Sequence, residues 1–225
     1  MTLAAELAPN HVTDLGCGTG VFAVDAANQG HSATGIDPAQ TILDIARSRP
    51  GGDQVTWIHG TASAAPTAST DLVVMMGHVA QYFVDDNEWR QTLTEVHRAL
   101  RPGGSVTFEV RNPRVDWASR WTQSASQRTL PHPQGDTFTS WVEVVASHGT
   151  PDSYTQTHEG HSVLPDGRHL VSSETLRFRS FDEVRTAVSD AGFRIEREWG
   201  DWDGSPVAAS SPELIVRATR QNSNG

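Results

Sequence analysis

The chain has 225 residues, of which 36% are hydrophobic and 20% are charged, a composition typical of a soluble globular domain. A formal net charge of −10 argues against nucleic acid or an anionic membrane surface as partner, and no stretch approaches the roughly 20 apolar residues of a transmembrane helix. The single cysteine, Cys17, cannot form an intrachain disulfide, which indicates a reducing, cytoplasmic location.

Strands and helices alternate through the first half of the chain. Predicted strands run over 11–15, 31–36, 54–59, 71–77 and 105–110, and predicted helices run over 21–29, 38–49 and 85–100. Asp85 and Glu88 have the spacing of a capping box at the start of the last of these helices. Such alternation predicts an α/β fold with a doubly wound, parallel sheet.

After Pro113 the pattern changes to strands joined by turns. Predicted strands run over 136–145, 153–163, 168–178, 194–199 and 213–219, and predicted helices run over 115–121 and 180–193. The Pro-Asp-Gly sequence at 165–167 supplies the turn of a hairpin. We therefore expect a single domain, residues 1–225, in which residues 114–179 form an antiparallel, β-rich substrate insertion.

The segment VTDLGCGTG, residues 12–20, places three glycines between a strand and a helix. A glycine-rich turn lets a ligand approach the backbone, and open α/β sheets bind ligands at this end of their strands. The dinucleotide fingerprint requires a glycine where this chain has Val21, which disfavours a nicotinamide oxidoreductase. The Gly-Lys-Ser/Thr ending of a phosphate-binding loop is also absent from the sequence.

The DLGCGTG motif resembles the cofactor loop of class I S-adenosylmethionine-dependent methyltransferases. Further segments resemble the same family in the expected order: GIDP at 35–38, HRALRPGGSVTFE at 97–109, and AGF at 191–193 with the last hairpin. The resemblance covers residues 5–220 and is strongest to small-molecule methyltransferases. It implies a Rossmann-like, seven-stranded sheet with an antiparallel last strand, S-adenosyl-L-methionine as cofactor and a small-molecule methyl acceptor.

The resemblance also implies which residues hold the cofactor. Asp37 stands where the family binds both ribose hydroxyls, and Thr61 stands where the family usually has an acidic residue that contacts the adenine amine. The expected cofactor-binding residues are Asp14, Gly16, Cys17, Gly18, Gly20, Asp37, Pro38, Ile42, Thr61, Ala62 and Gly77.

Three of these residues have an alternative interpretation. Asp14 either binds the methionine amine or accepts hydrogen bonds from loop amides. Asp37 either binds the ribose or serves as the N-cap of the helix beginning at Pro38. Cys17 has no defined base partner, which favours a packed small residue over a nucleophile. Because 13 residues precede Asp14, where the family carries covering helices, either those helices are missing or the true start lies upstream.

The candidate catalytic residue is His78, which follows the fourth strand, where the acceptor should meet the methyl group. A neutral imidazole there can act as a general base, although a histidine held by loop carbonyls is the simpler account. The candidate substrate residues are Arg111, Asn112 and Trp117. Arg111 could bind a carboxylate or pair with Glu109 on the same strand face, and Trp117 could belong to the core of the insertion.

The motif HEGH at 158–161 suggests a metal site, but its two histidines point to opposite faces of a strand, so we expect no metal. The predicted function is methyl transfer from S-adenosylmethionine to a small molecule by in-line attack. The alternative is a non-catalytic binding or regulatory protein of the same fold, which the short start and Thr61 favour slightly. We expect a monomer or a homodimer with no nucleic-acid or membrane partner.

Overall fold

A computed structural model describes residues 7–132 and 135–221 of the chain. The chain divides into two compact units, one within Met1–Arg111 and Phe181–Gly225, and the other within Asn112–Ser180. Within the described ranges, no helix combines the length and the apolar composition needed to cross a bilayer.

The described residues contain the predicted strands and all but one of the predicted helices, together with one strand and one short helix that the sequence did not predict. The strands are β1 (His11–Leu15), β2 (Ser32–Asp37), β3 (Thr56–His59), β4 (Thr70–Met75), β5 (Leu100–Arg111), β6 (Arg128–Pro131), β7 (Thr137–Thr150), β8 (Ser153–Val163), β9 (His169–Phe178), β10 (Phe193–Trp199) and β11 (Glu213–Arg220). The helices are α1 (Val21–Asn28), α2 (Gln40–Ser48), α3 (Asp86–Ala99), α4 (Gln123–Ser126) and α5 (Phe181–Asp190).

The first unit is built on a seven-stranded sheet in the order β10-β11-β5-β4-β1-β2-β3. Strand β1 pairs in parallel with both β2 and β4, whereas β11 runs antiparallel to β5 and β10. The predicted fold, a Rossmann-like sheet with an antiparallel last strand, is confirmed. The strands β2 and β3 lie on one side of β1, and the next strands along the chain, β4 and β5, lie on its other side. Sheets of this type bind ligands at this switch point, between β1 and β4.

Helix α3 shows how the sequence pattern builds the core. Asp85 precedes the helix, and its carboxylate accepts hydrogen bonds from the backbone N–H groups of Asn87 and Glu88. The apolar face of the helix buries Trp89, whose ring meets the ring of Phe108 on β5 edge-on at 5.4 Å. This contact joins the helix layer to the centre of the sheet.

For two of the predicted elements, local contacts explain why the structure has a different first residue. Helix α2 begins at Gln40 and not at Pro38, because the Asp37 carboxylate accepts a hydrogen bond from the N–H of Ala39 (2.8 Å), which has an extended backbone. Strand β5 begins at Leu100 and not at 105. Its segment 101–104 forms an irregularity in the pairing with β4, so the Pro-Gly-Gly sequence ends the helix without ending the strand.

The second unit carries a four-stranded antiparallel sheet in the order β6-β7-β8-β9. The sequence predicts three of these strands and misses β6, which is four residues long, exposed throughout and ends in Pro131. The short helix predicted over 115–121 is a single 3-10 turn over Ala118–Arg120. Trp117, Leu176 and Phe178 form the buried core of this unit.

We predict that Phe108→Ala destabilises the first unit by about 3–5 kcal/mol, because it removes a fully buried ring and leaves Trp89 facing a cavity. Val21→Ala removes a side chain that is 60% exposed, and we expect it to change the free energy of unfolding by less than about 0.5 kcal/mol. Urea unfolding of both variants measures the difference. A loss below about 1 kcal/mol in Phe108→Ala would mean that the core closes around the gap.

Candidate functional site

A cavity of about 680 Å³ lies in the first unit, at the carboxyl ends of β1, β2, β3 and β4. Its size falls within the range of small-molecule and cofactor pockets, roughly 300–1,000 Å³. Of the residues expected to hold the cofactor, it is lined by Gly16, Gly18, Asp37, Pro38, Ile42, Thr61, Ala62 and Gly77. It is also lined by residues that the sequence did not assign to the cofactor, namely Leu15, Thr19, Gly60, Met76, Val79, Tyr82, Phe83 and Glu88.

Gly18 is the point at which the loop backbone leaves space for a ligand. Its φ angle is +52°, a conformation that residues with a Cβ adopt at a cost. A Cβ built on Gly18 would meet no atom within 4 Å, although the residue lines the cavity. The loop therefore presents bare backbone to open space at this position.

The other loop residues are held by packing. A Cβ on Gly16 would lie 2.7 Å from Val79, and a Cβ on Gly20 would lie 2.4 Å from the ring of Trp57. Cys17 is buried, and its thiol lies 3.8 Å from the carbonyl oxygen of Gly18. Burial raises the pKa of the Cys17 thiol to about 12, so the thiol is protonated at neutral pH, which supports a packing role.

Asp37 ends β2 at the cavity wall and is 9% exposed. One carboxylate oxygen accepts a hydrogen bond from the N–H of Ala39 (2.8 Å), and the other accepts one from the N–H of Gly18 (2.9 Å). The predicted N-cap role of Asp37 is wrong, because the helix begins at Gln40 with Ala39 as its N-cap, and the bond to Ala39 is a local turn contact ahead of the helix. A carboxylate oxygen has two lone pairs, so each oxygen can accept a further hydrogen bond from a ligand hydroxyl.

Asp14 is 3% exposed and is not among the residues that line the cavity. Burial raises the pKa of its carboxyl group to about 7, a hydrogen bond from the backbone at Ala23 opposes this shift, and the nearby charges of Asp37 and Glu109 add to it. The carboxyl group can therefore change its charge near neutral pH. Whether it contacts the methionine amine stays a prediction.

Thr61 and Ala62 follow β3 and line the cavity. The Thr61 hydroxyl is 3.1 Å from the hydroxyl of Ser63, and Ala62 begins a 3-10 turn with a buried side chain. The position where the family usually has an acid thus presents a hydroxyl and turn backbone.

His78 lies between the cavity-lining residues Gly77 and Val79. Its backbone is left-handed, with φ 64°, and its N–H donates a hydrogen bond to Glu109 Oε1 (2.8 Å). Its ring Nε2 lies 3.0 Å from Glu213 Oε1. When Nε2 donates its proton to this carboxylate oxygen, Nδ1 is the ring nitrogen that remains as an acceptor.

Glu109 is 2% exposed, and a pair with Arg111 was one of the two alternatives that the sequence left open for this strand face. In the structure, Glu109 accepts from His78, while the Arg111 guanidinium donates to Gln81 Oε1 (3.0 Å). Burial raises the pKa of the Glu109 carboxyl group, hydrogen bonds from His78 and Gly77 oppose the shift, and the charge of Glu213 adds to it. Glu213 was missed by the sequence analysis because it lies 135 residues from its partner His78.

Asn112 and Trp117, two of the expected substrate residues, lie in the second unit. The Asn112 side chain accepts a hydrogen bond from the N–H of Arg114 (3.0 Å), and its backbone carbonyl accepts one from the indole of Trp117 (2.9 Å). The Trp117 ring stacks on Trp121 at 5.6 Å. These contacts give both residues a structural role in the unit, and their role in binding an acceptor stays a prediction.

The histidines of the HEGH motif make contacts within their own sheet. His158 Nε2 lies 3.0 Å from Gln156 Oε1, and His161 Nδ1 lies 3.1 Å from His169 Nε2. Within residues 7–132 and 135–221, no group of three or more His, Cys, Asp or Glu side chains is placed to hold a metal ion.

Residues 12–104 match the family model described as a methyltransferase domain. These residues contain the glycine-rich loop and the strands β1 to β4, at whose carboxyl ends the cavity lies. Residues 12–104 therefore form a methyltransferase domain, and the sheet order is that of the class I S-adenosylmethionine-dependent methyltransferases.

Relatives of this methyltransferase carry different acceptors in their names. The Cypemycin N-terminal methyltransferase of Streptomyces sp is 24% identical over 212 residues, covering 93% of this chain and 83% of that protein. The Ubiquinone biosynthesis O-methyltransferase of Aromatoleum aromaticum is 31% identical over 113 residues, covering 48% of this chain and 47% of that protein. The second match thus spans about half the length of the relative.

A solved structure shares the fold of this methyltransferase over nearly the whole chain. CalS10, described as an amino pentose methyltransferase from Micromonospora echinaspora with S-adenosylmethionine bound, aligns with a TM-score of 0.67 at 18% identity. The alignment covers 97% of this chain and 86% of CalS10.

The cavity fits S-adenosylmethionine in its size and in the chemistry of several lining residues. The cavity is large enough for a cofactor of this size, and the open space at Gly18 accommodates a close approach to the loop. The Asp37 carboxylate at the end of β2 can accept from ribose hydroxyls, and the apolar Ile42 and Ala62 can cover an adenine ring.

We predict that Gly18→Ala weakens binding of S-adenosylhomocysteine about tenfold or more, because the added methyl group occupies space at the cavity wall. Gly30→Ala is the matched control. Gly30 also has a positive φ, +92°, and also has no atom within 4 Å of a built Cβ, but it ends α1 and does not line the cavity.

Both variants carry backbone strain of about 1–2 kcal/mol, so both are expected to lower stability similarly. Titration calorimetry with S-adenosylhomocysteine compares their affinities with that of the wild type. Equal weakening in the two variants would trace the effect to general destabilisation and remove Gly18 from the site.

We predict that the stability of the wild type relative to Asp14→Asn falls by roughly 2–3 kcal/mol between pH 5 and pH 8. The pKa of Asp14 rises from 3.8 to about 7 on folding, so the folded state holds its proton more tightly than the unfolded state. This contribution to stability is greatest below pH 4 and is lost as the pH rises towards the folded-state pKa. The asparagine variant lacks it.

Urea unfolding at the two pH values measures this difference. Asp53→Asn is the control, because Asp53 is exposed in a 3-10 turn outside the cavity lining. An Asp14→Asn variant whose stability changes with pH in parallel with the wild type would show that Asp14 is ionised throughout this range.

Proposed function

We propose that this enzyme transfers the methyl group of S-adenosylmethionine to a small-molecule acceptor by in-line attack, with His78 as general base. The observation that carries the proposal is the placement of His78. It lies between the cavity-lining residues Gly77 and Val79 and is held at its backbone by Glu109 and at its ring by Glu213.

A small acceptor is supported by two names among the similar proteins. CalS10 is described as an amino pentose methyltransferase, and the Aromatoleum relative is named for ubiquinone biosynthesis. The net charge of −10 supports an acceptor other than nucleic acid. We further propose that the enzyme is cytoplasmic and is a monomer or a homodimer. The single buried cysteine favours the cytoplasmic location.

Different residues of the first unit would bind different parts of the cofactor. The backbone at Gly16 and Gly18 would lie along the cofactor, Asp37 would accept hydrogen bonds from the ribose hydroxyls, and Thr61 with Ala62 would meet the adenine. S-adenosylmethionine, when bound, supplies a methyl group on a positively charged sulfur. Holding an acceptor in line with that carbon accounts for most of the acceleration, because the reacting atoms no longer have to find each other.

His78 is suited to take a proton from the acceptor. Glu213 accepts from Nε2, which fixes the ring and its tautomer and leaves Nδ1 as the basic nitrogen. The Glu213 carboxylate also stabilises the imidazolium that forms when Nδ1 is protonated, as carboxylates do beside catalytic histidines. Arg111, Asn112 and Trp117 remain the proposed acceptor residues.

We predict that His78→Asn lowers the rate of single-turnover methyl transfer by about 10²–10⁴, because the variant keeps a hydrogen-bonding side chain and loses the base. The affinity for S-adenosylhomocysteine is expected to stay within about threefold of the wild type, since Gly18 and Asp37 are unchanged. The assay follows labelled methyl groups from the cofactor into a pool of small metabolites.

His31→Asn is the control, because His31 precedes β2 at the opposite edge of the sheet from the cavity. A rate within a few-fold of the wild type in His78→Asn would mean that His78 only supports the loop and that alignment alone carries the reaction.

A further inference from the structure

We infer that the methyl acceptor is an amine, which enters as an ammonium ion and is bound by Glu109 and Glu213. The inference rests on the proposed function and names the acceptor class for the same site. It comes from a pair of buried carboxylates that hydrogen-bond to His78 and together have more acceptor capacity than the protein uses.

In each of the two carboxylates Oε1 lies within hydrogen-bond distance of His78, and the backbone of Gly77 also acts on Glu109. Oε1 of Glu109 accepts from the backbone N–H of His78, and Oε1 of Glu213 lies against its ring. Oε2 of each is buried and has no hydrogen-bond partner among the described residues. Glu109 is 2% exposed and Glu213 is 8% exposed, so solvent does not replace the missing donors.

Strand pairing places the two carboxylates on one face of the sheet. Glu213 on β11 is directly opposite Arg111 on β5, and Glu109 lies two residues before Arg111. Opposite residues of an antiparallel pair share a face, and so do residues two apart on one strand. The side chains of Glu109 and Glu213 therefore converge on the same histidine from neighbouring strands.

A bound cation would balance the negative charge of this pair of carboxylates. Glu213 and Asp14 each lie close enough to Glu109 for their charges to interact. Burial raises the pKa of Glu109, while the backbone hydrogen bonds from His78 and Gly77 and the charge of His78 oppose this shift. An ammonium group supplies both the positive charge and the N–H donors that the two Oε2 atoms require. A neutral hydroxyl acceptor supplies a single donor and no charge.

Methyl transfer to an ammonium acceptor balances with the groups present. One N–H proton passes to Nδ1 of His78, which leaves a neutral amine with a lone pair. That lone pair forms the new N–C bond as the C–S bond of the methyl group breaks, and the electrons of the C–S bond stay on sulfur. The product is a methylated ammonium ion and a neutral thioether, and the proton on His78 is released to solvent.

The cofactor carries an ammonium group of its own, so the test separates the two cations. Wild type, Glu109→Gln, Glu213→Gln and the control Glu95→Gln are incubated with ¹³C-methyl S-adenosylmethionine and a pool of small metabolites. Glu95 lies on α3 and pairs with Arg98 outside the cavity lining. The ¹³C spectrum distinguishes N-methyl from O-methyl and C-methyl products, and calorimetry measures S-adenosylhomocysteine affinity separately.

We expect new N-methyl signals with the wild type and with Glu95→Gln. We expect their rate of formation to fall at least about 30-fold in the Glu109 and Glu213 variants, with S-adenosylhomocysteine affinity within about threefold of the wild type. An unchanged affinity for S-adenosylhomocysteine also shows that a variant is folded. Each of the two glutamate variants provides this check separately.

Three results would overturn the inference. Products that are only O-methylated or C-methylated exclude an amine acceptor. A tenfold loss of S-adenosylhomocysteine affinity in both glutamate variants would assign the carboxylates to the ammonium group of the cofactor. Wild type that binds S-adenosylhomocysteine and forms no methylated product overturns the proposed function, and the inference with it.

Discussion

The hydrogen bond from Gly18 to Asp37 joins the two chain segments on which the cofactor site depends. It ties the glycine-rich loop after β1 to the end of β2, while the other oxygen of Asp37 holds the N–H of Ala39 before α2. The carbonyl of Ile36 adds two more bonds, from the N–H groups of Gly16 and Cys17. Loop, strand and helix start are thus fixed by one dipeptide, and the wall of the cavity follows from its geometry.

The same region concentrates buried acids at a cost in stability. Asp14 and Glu109 are almost fully buried, and burial is the largest cause that raises the pKa of each. Removing a carboxylate from water is unfavourable, and groups with pKa values shifted in this way cluster at functional sites. The Asp14 carboxyl group contributes most to stability when it is protonated. A cation in the site would instead favour the ionised forms of Asp14 and Glu109. Stability and binding therefore place opposite demands on these side chains.

Much of the fold could be predicted because its signals are local. Alternating strands and helices, the Pro-Gly-Gly helix stop and the apolar face of α3 are all readable within short windows, and the structure confirms the parallel sheet. The cavity wall at Gly16, Gly18, Asp37, Thr61 and Gly77 follows from turns at the ends of strands, which a motif also marks. Strand β6 was missed because four exposed residues ending in proline carry no alternation of apolar and polar side chains.

By itself, the sequence determined the α/β class, the glycine-rich loop and eight of the residues that line the cavity, because most of these lie in turns at the ends of strands that short windows of sequence mark. Only the tertiary structure decided the surroundings of His78. Glu213 reaches its ring from 135 residues away, and Glu109 accepts from His78 while Arg111 donates to Gln81. These partners are set by the register of β11 against β5, which places Glu213 opposite Arg111, and by the position of the loop that follows β4. Such long-range pairing leaves no periodic trace in the chain, since either strand could slide by two residues and keep the same pattern of buried side chains.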